Sequence, residues 1–148
     1  MAFEYATAPE STSIVTVRGN YDLFINGEFT PGHGTPFTTI NPATEEVLAT
    51  VAEANQDDVN AAVASARKAY NSTWSKMSGA DRGKYLFRIA RIMQERGREL
   101  AVLETMDNGK PIKESRDVDI PIAAAHFFYH AGWADKLEFA GYGGNPKA

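Results

Sequence analysis

Leu23-Phe24-Ile25-Asn26-Gly27-Glu28-Phe29 places two short apolar runs on either side of an Asn-Gly pair. A type I′ turn needs positive φ at both central residues. Asparagine tolerates that and glycine accepts it freely, so the stretch is expected to close a β-hairpin. Beyond it, Pro31, Gly32, Gly34 and Pro36 mark a loop, Phe37 to Asn41 reads as a second strand stopped by Pro42, and Val47 to Ala52 as a third. Before it, residues 1–20 are rich in Ala, Thr and Ser and read as a flexible arm, in which Ile14-Val15-Thr16-Val17 could pair with a sheet edge. The β portion is a small antiparallel meander, too small to be stable unless something packs on one face.

From Asn55 the apolar period changes from two to about 3.6. Asn55 can cap a helix with Asp58 in its first turn, and Val59, Ala62, Val63, Ala66 and Tyr70 form its stripe. Ser78 caps a second helix with an inward face of Tyr85, Leu86, Ile89, Ala90 and Met93. Gly97 breaks the pattern, and Leu100, Leu103 and Met106 continue a third helix to Asn108-Gly109-Lys110-Pro111, where glycine supplies a left-handed residue and proline forbids continuation. A fourth is expected to start near Asp119-Ile120-Pro121 and to run to about Phe139 with Ile122, Ala125, Phe128, Tyr129 and Trp133 as its apolar residues. The last eight residues read as loop.

At 148 residues the chain has room for one domain with a core, and its 43% hydrophobic and 23% charged residues are those of a globular protein. A formal charge of −4 argues against nucleic acid as a partner. No window approaches the roughly 18 consecutive apolar residues of a membrane span. The first twenty residues lack the basic and apolar regions of a secretory signal, so a cytoplasmic protein is expected. There is no cysteine, which excludes disulfides, thiolate metal sites and a cysteine nucleophile within these 148 residues.

Four features are weighed for chemistry. His126 and His130 lie four apart on a helix and could face one metal ion, but a third ligand is missing and packing or surface roles account for them as well. Gly141-Tyr142-Gly143-Gly144 follows a helix rather than a strand and matches no phosphate-cradling motif. Arg82, Lys84, Arg88, Arg91, Arg96 and Arg98 spread around more than one face and read as solvated surface, with an inter-domain ion-pair role as the alternative. Asp107 is placed at the negative end of a helix dipole, an unfavourable position that invites a compensating cation or hydrogen-bond donor.

Five segments together carry a resemblance. Leu23-Phe-Ile-Asn-Gly-Glu-Phe29, Thr39-Ile-Asn-Pro-Ala-Thr44, Val47 to Ala54, Asp107-Asn-Gly-Lys-Pro111 and Tyr129-His-Ala-Gly-Trp-Ala-Asp-Lys136 are similar, in order and spacing, to the N-terminal part of the NAD(P)-dependent aldehyde dehydrogenase superfamily. The resemblance implies an α/β fold of which residues 21–148 supply only the N-terminal part of the cofactor-binding domain. That part is the meander and about four helices, without the doubly wound sheet they pack against. It implies oxidation of an aldehyde to a carboxylate with NAD or NADP, through a cysteine thiolate, an oxyanion held by an asparagine and a backbone amide, and a glutamate that activates water. None of those groups falls on this chain, so no catalytic or cofactor-binding residue is assigned. The family's monovalent cation site maps to Thr39, Ile40 and Asp107, with a further ligand from elsewhere in the fold. Its substrate-tunnel rim maps to Val118 and Ile122, which could equally be core. The expected partners are the remainder of the fold or a homologous subunit, in a homo-oligomer.

Two rival readings stay open: an autonomous non-catalytic module that binds a homologous enzyme or itself through uncovered helix faces, and a histidine-based metal-binding helical protein.

Overall fold

The computed structural model describes residues 10–140. The Asn-Gly hairpin forms as its chemistry requires. β2 (Leu23–Ile25) and β3 (Glu28–Thr30) pair antiparallel around Asn26 at φ 57° and Gly27 at φ 84°. The hydroxyl of Ser65 donates to Asn26 Oδ1 at 3.2 Å, seating the turn on α1 (Gln56–Ser72).

β4 (Phe37–Ile40) and β5 (Val47–Val51) form a second antiparallel pair, irregular between Thr39 and Ile40. β1 (Asn20–Tyr21) joins the other edge of β5 in parallel, giving a sheet of order β1-β5-β4 separate from the hairpin. The meander read from the sequence thus divides into two small sheets, one with a parallel strand. The edge strand is Asn20–Tyr21 rather than the 14–17 run: Thr50 N–H donates to the Gly19 carbonyl and Ala52 N–H to that of Tyr21, both at 2.9 Å. Thr12–Ile14 is a 3₁₀ turn against the helices, and Glu10 is ion-paired to Arg98. The described part of the N-terminal arm therefore lies on the protein.

The helix ends follow local chemistry. Asn55 Oδ1 accepts from the N–H groups of Asp57 and Asp58 at 2.9 and 3.0 Å, and the Asp58 carboxylate accepts from Asn55 N–H at 3.0 Å, a complete capping box. Ser78 caps α2 (Gly79–Glu95) through Asp81 N–H. α3 (Gly97–Asn108) ends on Gly109 at φ 79°, whose N–H donates to the Thr105 carbonyl at 2.9 Å.

The last helix begins where the sequence suggests, at Ile120, and ends at Trp133 rather than near Phe139, but helical turns also run directly into its start. Helical bonding begins in α4 (Ile112–Glu114), passes through a π-turn at Ser115–Asp119, and continues as α5 (Ile120–Trp133). Ile120 N–H reaches back five residues to the Ser115 carbonyl. Pro121 supplies the reason. It has no N–H, and its ring would press on the carbonyl of Asp117 in a continuous α-helix, which a wider turn just before it relieves. Ser115, fully buried, accepts a hydrogen bond from the Thr105 hydroxyl at 3.2 Å.

α2 and α5 form the main helix pair, and their seam is small. Gly83, Ala90, Ala124 and Ala131 are buried there, with Phe87 and Phe128 in edge contact at 5.3 Å. Half of the inward face expected on α2 turns out. Leu86 and Met93 are half-buried and Ala90 is buried, while Tyr85 and Ile89 stay exposed. The α1 stripe is also bare, with Val63 62% exposed. The accessible surface is 11206 Å², against about 7,500 Å² for a compact monomer of 16.2 kDa.

At Gly109 two demands coincide: a left-handed backbone, and a Cβ position 3.2 Å from the Pro42 ring. Gly109→Ala is expected to destabilise the chain by about 1–2 kcal/mol, read as a lower urea midpoint at unchanged m-value.

Candidate functional site

Two segments far apart in sequence meet where β4 ends and α3 ends. The Thr39 hydroxyl donates to Asp107 Oδ1 across 68 residues, and the Pro42 ring lies against Gly109. The irregular register between Thr39 and Ile40 interrupts the β4–β5 ladder here, and Ile40 is exposed. The residues of the mapped cation site are therefore neighbours, two consecutive on the strand and one carboxylate from the helix end.

Beside this joint a cleft of about 590 Å³ opens between the β1-β5-β4 sheet and the helices. Val51, Leu103, Ile120 and Ala123 make its wall apolar, and Thr39 and Asp107 stand at its polar margin. Glu104 and Asp119 also face it, but both are paired with Lys110, whose Nζ lies 2.6 Å from Asp119 and 3.2 Å from Glu104. The Asp119 hydrogen bond, then that of Glu104, holds the Lys110 ammonium above the usual lysine range. Asp107 differs from these two carboxylates in meeting a neutral hydroxyl.

Val118 stands in the π-turn and Ile122 in the first turn of α5, and both are exposed, at 46% and 50%. They form no part of the core. His126 and His130 are exposed on α5, where His130 meets the Tyr129 ring edge-on at 5.3 Å. Among the described residues, no three or more His, Cys, Asp or Glu side chains gather to hold a metal ion. Much of the basic series is locally paired: Lys84 with Asp81, Arg91 with Glu95, Arg96 with Glu99. Exposed pairs of this kind contribute little each. Gly141 to Gly144 lies outside the described residues. No helix among the described residues is long and apolar enough to cross a membrane.

Asp58 does more than sequence reasoning assigned to it. Besides capping α1, its buried carboxylate accepts from His33 N–H at 2.9 Å and lies 2.6 Å from His33 Nδ1, so one side chain ties the loop after the hairpin to the helix start. The His33 backbone bond, then the Asn55 backbone bond and the His33 ring, lower its pKa to about 2. The Asn-x-x-Asp pattern reveals the cap. Nothing local reveals a partner 25 residues upstream.

Comparison with known proteins places these features. The aldehyde dehydrogenase family profile matches residues 29–145. Aldehyde dehydrogenase 1 of Tanacetum cinerariifolium is 48% identical over 120 residues, covering 80% of this chain and 24% of that protein. A mitochondrial aldehyde dehydrogenase of Arabidopsis thaliana is 46% identical over 117 residues, covering 78% of this chain and 22% of its own. Among solved structures, the NAD+ complex of the aldehyde dehydrogenase from Bacillus cereus superposes with a TM-score of 0.76 at 43% identity, over 80% of this chain and 24% of that one. The chain thus spans about a quarter of the length of the relatives it matches.

Asp58 gives a pH dependence with a definite sign. Its folded pKa of about 2 lies below the unfolded value of about 3.9, so its stabilisation is complete above about pH 4 and is lost as the pH falls through about 2. Denaturation midpoints measured from pH 5 to pH 2 should fall more steeply for the native chain than for Asp58→Asn, which starts lower and loses less over that window.

Proposed function

The chain belongs to the aldehyde dehydrogenase family, and from that membership we propose that it is the N-terminal portion of an NAD(P)-dependent oxidoreductase converting an aldehyde to a carboxylate. The observation that carries this reading is the match of residues 29–145 to the family, together with bare apolar faces on α1, α2 and α5 that suit a further layer of structure. In this reading residues 1–20 are an arm, and residues 21–148 are the N-terminal part of the cofactor-binding domain. The completed protein would be a cytoplasmic homo-oligomer, the rest of the fold or a homologous subunit being the partner of those faces.

The 148 residues hold no thiolate, so the nucleophile belongs to the remainder of the protein. No NAD(P) contact is assigned to this chain in this reading. The N-terminus of α1, the helix that follows β5, is closed by the Asn55 side chain and the Asp58 carboxylate. A second anion there would be repelled. The relative solved with NAD+ supports that cofactor for the complete enzyme, bound by residues other than these.

What this chain contributes is support and two margins. Val118 and Ile122 would offer exposed aliphatic surface to the substrate tunnel. Thr39, Ile40 and Asp107 suit a monovalent cation: a hard ion takes oxygen donors, and Asp107 meets a neutral hydroxyl where Glu104 and Asp119 meet the Lys110 ammonium. The fit also answers the unfavourable position of Asp107 at the helix end, since a cation there would offset the dipole as well as the carboxylate.

Two measurements test the reading. Sequencing the gene past the Ala148 codon should reveal a continuation encoding a cysteine and the strands of a doubly wound sheet. A stop codon, with a purified chain that melts cooperatively as a monomer, would favour the autonomous module instead. The pure chain given NAD and an aldehyde should form no NADH, and turnover would overturn the assignment of the nucleophile elsewhere. The cation is checked separately by thermal melting in potassium chloride against choline chloride. The native chain should gain about 1.4 kcal/mol at ten times the dissociation constant, and Asp107→Asn should erase the difference.

A further inference from the structure

Glu10 is a charged residue that the proposed function does not use, yet its side chain is only 7% exposed. Its Oε2 accepts from two nitrogens of Arg98, Nε at 2.9 Å and an Nη at 2.7 Å, and its Oε1 lies 3.7 Å from Arg116. Arg98 stands in the first turn of α3 and Arg116 in the π-turn. Arg116 is itself held by Asp117, at 2.6 and 2.9 Å. One carboxylate thus joins the N-terminal segment to the two helical elements beside Pro121.

The segment that leaves Glu10 is tied down again at its far end. Beyond the 3₁₀ turn at Thr12–Ile14, the carbonyls of Gly19 and Tyr21 bond to β5, the N–H of Arg18 donates to the Tyr21 hydroxyl at 3.1 Å, and the Arg18 guanidinium stacks 4.7 Å above the Tyr21 ring. Between these anchors the chain crosses from helices to sheet, and Val17 and Tyr21 form part of the wall of the cleft beside Thr39 and Asp107. The two anchors differ in kind. The sheet end rests on backbone hydrogen bonds shared with β5. The helix end rests on the 3₁₀ turn against α3 and on a charge pair in which Glu10 is 7% and Arg98 67% exposed. The backbone bonds described for residues 11–15 stay within the turn, so no ladder holds this end once the carboxylate is gone.

We propose that residues 10–17 are a strap latched by Glu10, whose seating on Arg98 and Arg116 holds Val17 in the wall of the apolar cleft beside Thr39 and Asp107. Releasing the carboxylate frees the helix end of the strap while the sheet end stays paired, so Val17 swings away and the cleft wall opens further to solvent. Arg98 and Arg116 are the latch plate, and the hydrogen bond from Arg98 lowers the pKa of Glu10, so the carboxylate stays charged further into acid than an ordinary glutamate. The inference is independent of whether a cation binds at Asp107 and of what lies beyond residue 148.

Hydrogen exchange by mass spectrometry on the full 148-residue chain reads the strap directly. Glu10→Ala should speed exchange at residues 12–17 by about tenfold, while α2, α5 and the β4–β5 pair keep their native rates. Emission from an added apolar dye should rise as the cleft opens. Arg98→Glu should do the same, whereas Arg98→Lys, which keeps a cation facing Glu10 beside Arg116, should keep exchange slow. Unchanged exchange at 12–17 in Glu10→Ala would overturn the proposal. So would a loss of protection spread through α2 and α5, since Glu10 would then be supporting the whole fold, and so would exchange in Arg98→Lys as fast as in Arg98→Glu.

Discussion

A hydroxyl on β4 and a carboxylate in the last turn of α3 join the two halves of this molecule. Asp107 is badly placed for a lone helix, since a negative charge at the C-terminal end adds to the carbonyl charge already there. The Thr39 hydroxyl turns the position to use, by donating to that carboxylate where β4 ends. Pro42 packing on Gly109 closes the same joint a few residues further on. The strands can then lie over α3, and a cleft is left between sheet and helices rather than a filled core.

The distribution of side-chain size is the second constraint. In an ordinary small domain the largest apolar residues fill the centre. Here the buried seam between α2 and α5 is made of Ala90, Ala124, Ala131 and Gly83, while Tyr85, Ile89, Ile122, Tyr129 and Phe139 face outward. Small residues let two helices approach closely, and that close approach turns the bulky ones away from the seam. This leaves large apolar side chains on the surface of both helices. The matched family members are about four times as long, and in the proposed function the rest of the fold would cover such faces.

Legibility along the chain follows the range of each interaction. The Asn26-Gly27 turn, the Asn55 and Ser78 caps and the Gly109 stop are decided within four or five residues, and all were readable from residue types alone. The π-turn was not, because a single wide turn leaves no repeat in the apolar pattern. Pro121 read as a helix start, and α5 does start beside it, but the wide turn that relieves its strain joins α5 to the helical turns before it. The α2 stripe was half misread. Periodicity shows that Tyr85, Leu86 and Ile89 are apolar together with Ala90 and Met93, but not which side meets α5. In the candidate site, Thr39 and Ile40 could be named only through family likeness, while Asp107 also stood out by its unfavourable place at a helix end, and it is the fold that brings Thr39 to Asp107.

Local chemistry written in the sequence determined the turn, the caps, the helix ends and the absence of any thiol chemistry in these residues. Contacts between distant segments were left to the tertiary structure: the parallel seating of Asn20–Tyr21 on β5, His33 on Asp58, Glu10 between two arginines, and Thr39 on Asp107. The reason is physical. A cap or turn is settled by atoms a few bonds apart, whereas a carboxylate finds a partner 25, 68 or 88 residues away only after the helices and strands have packed.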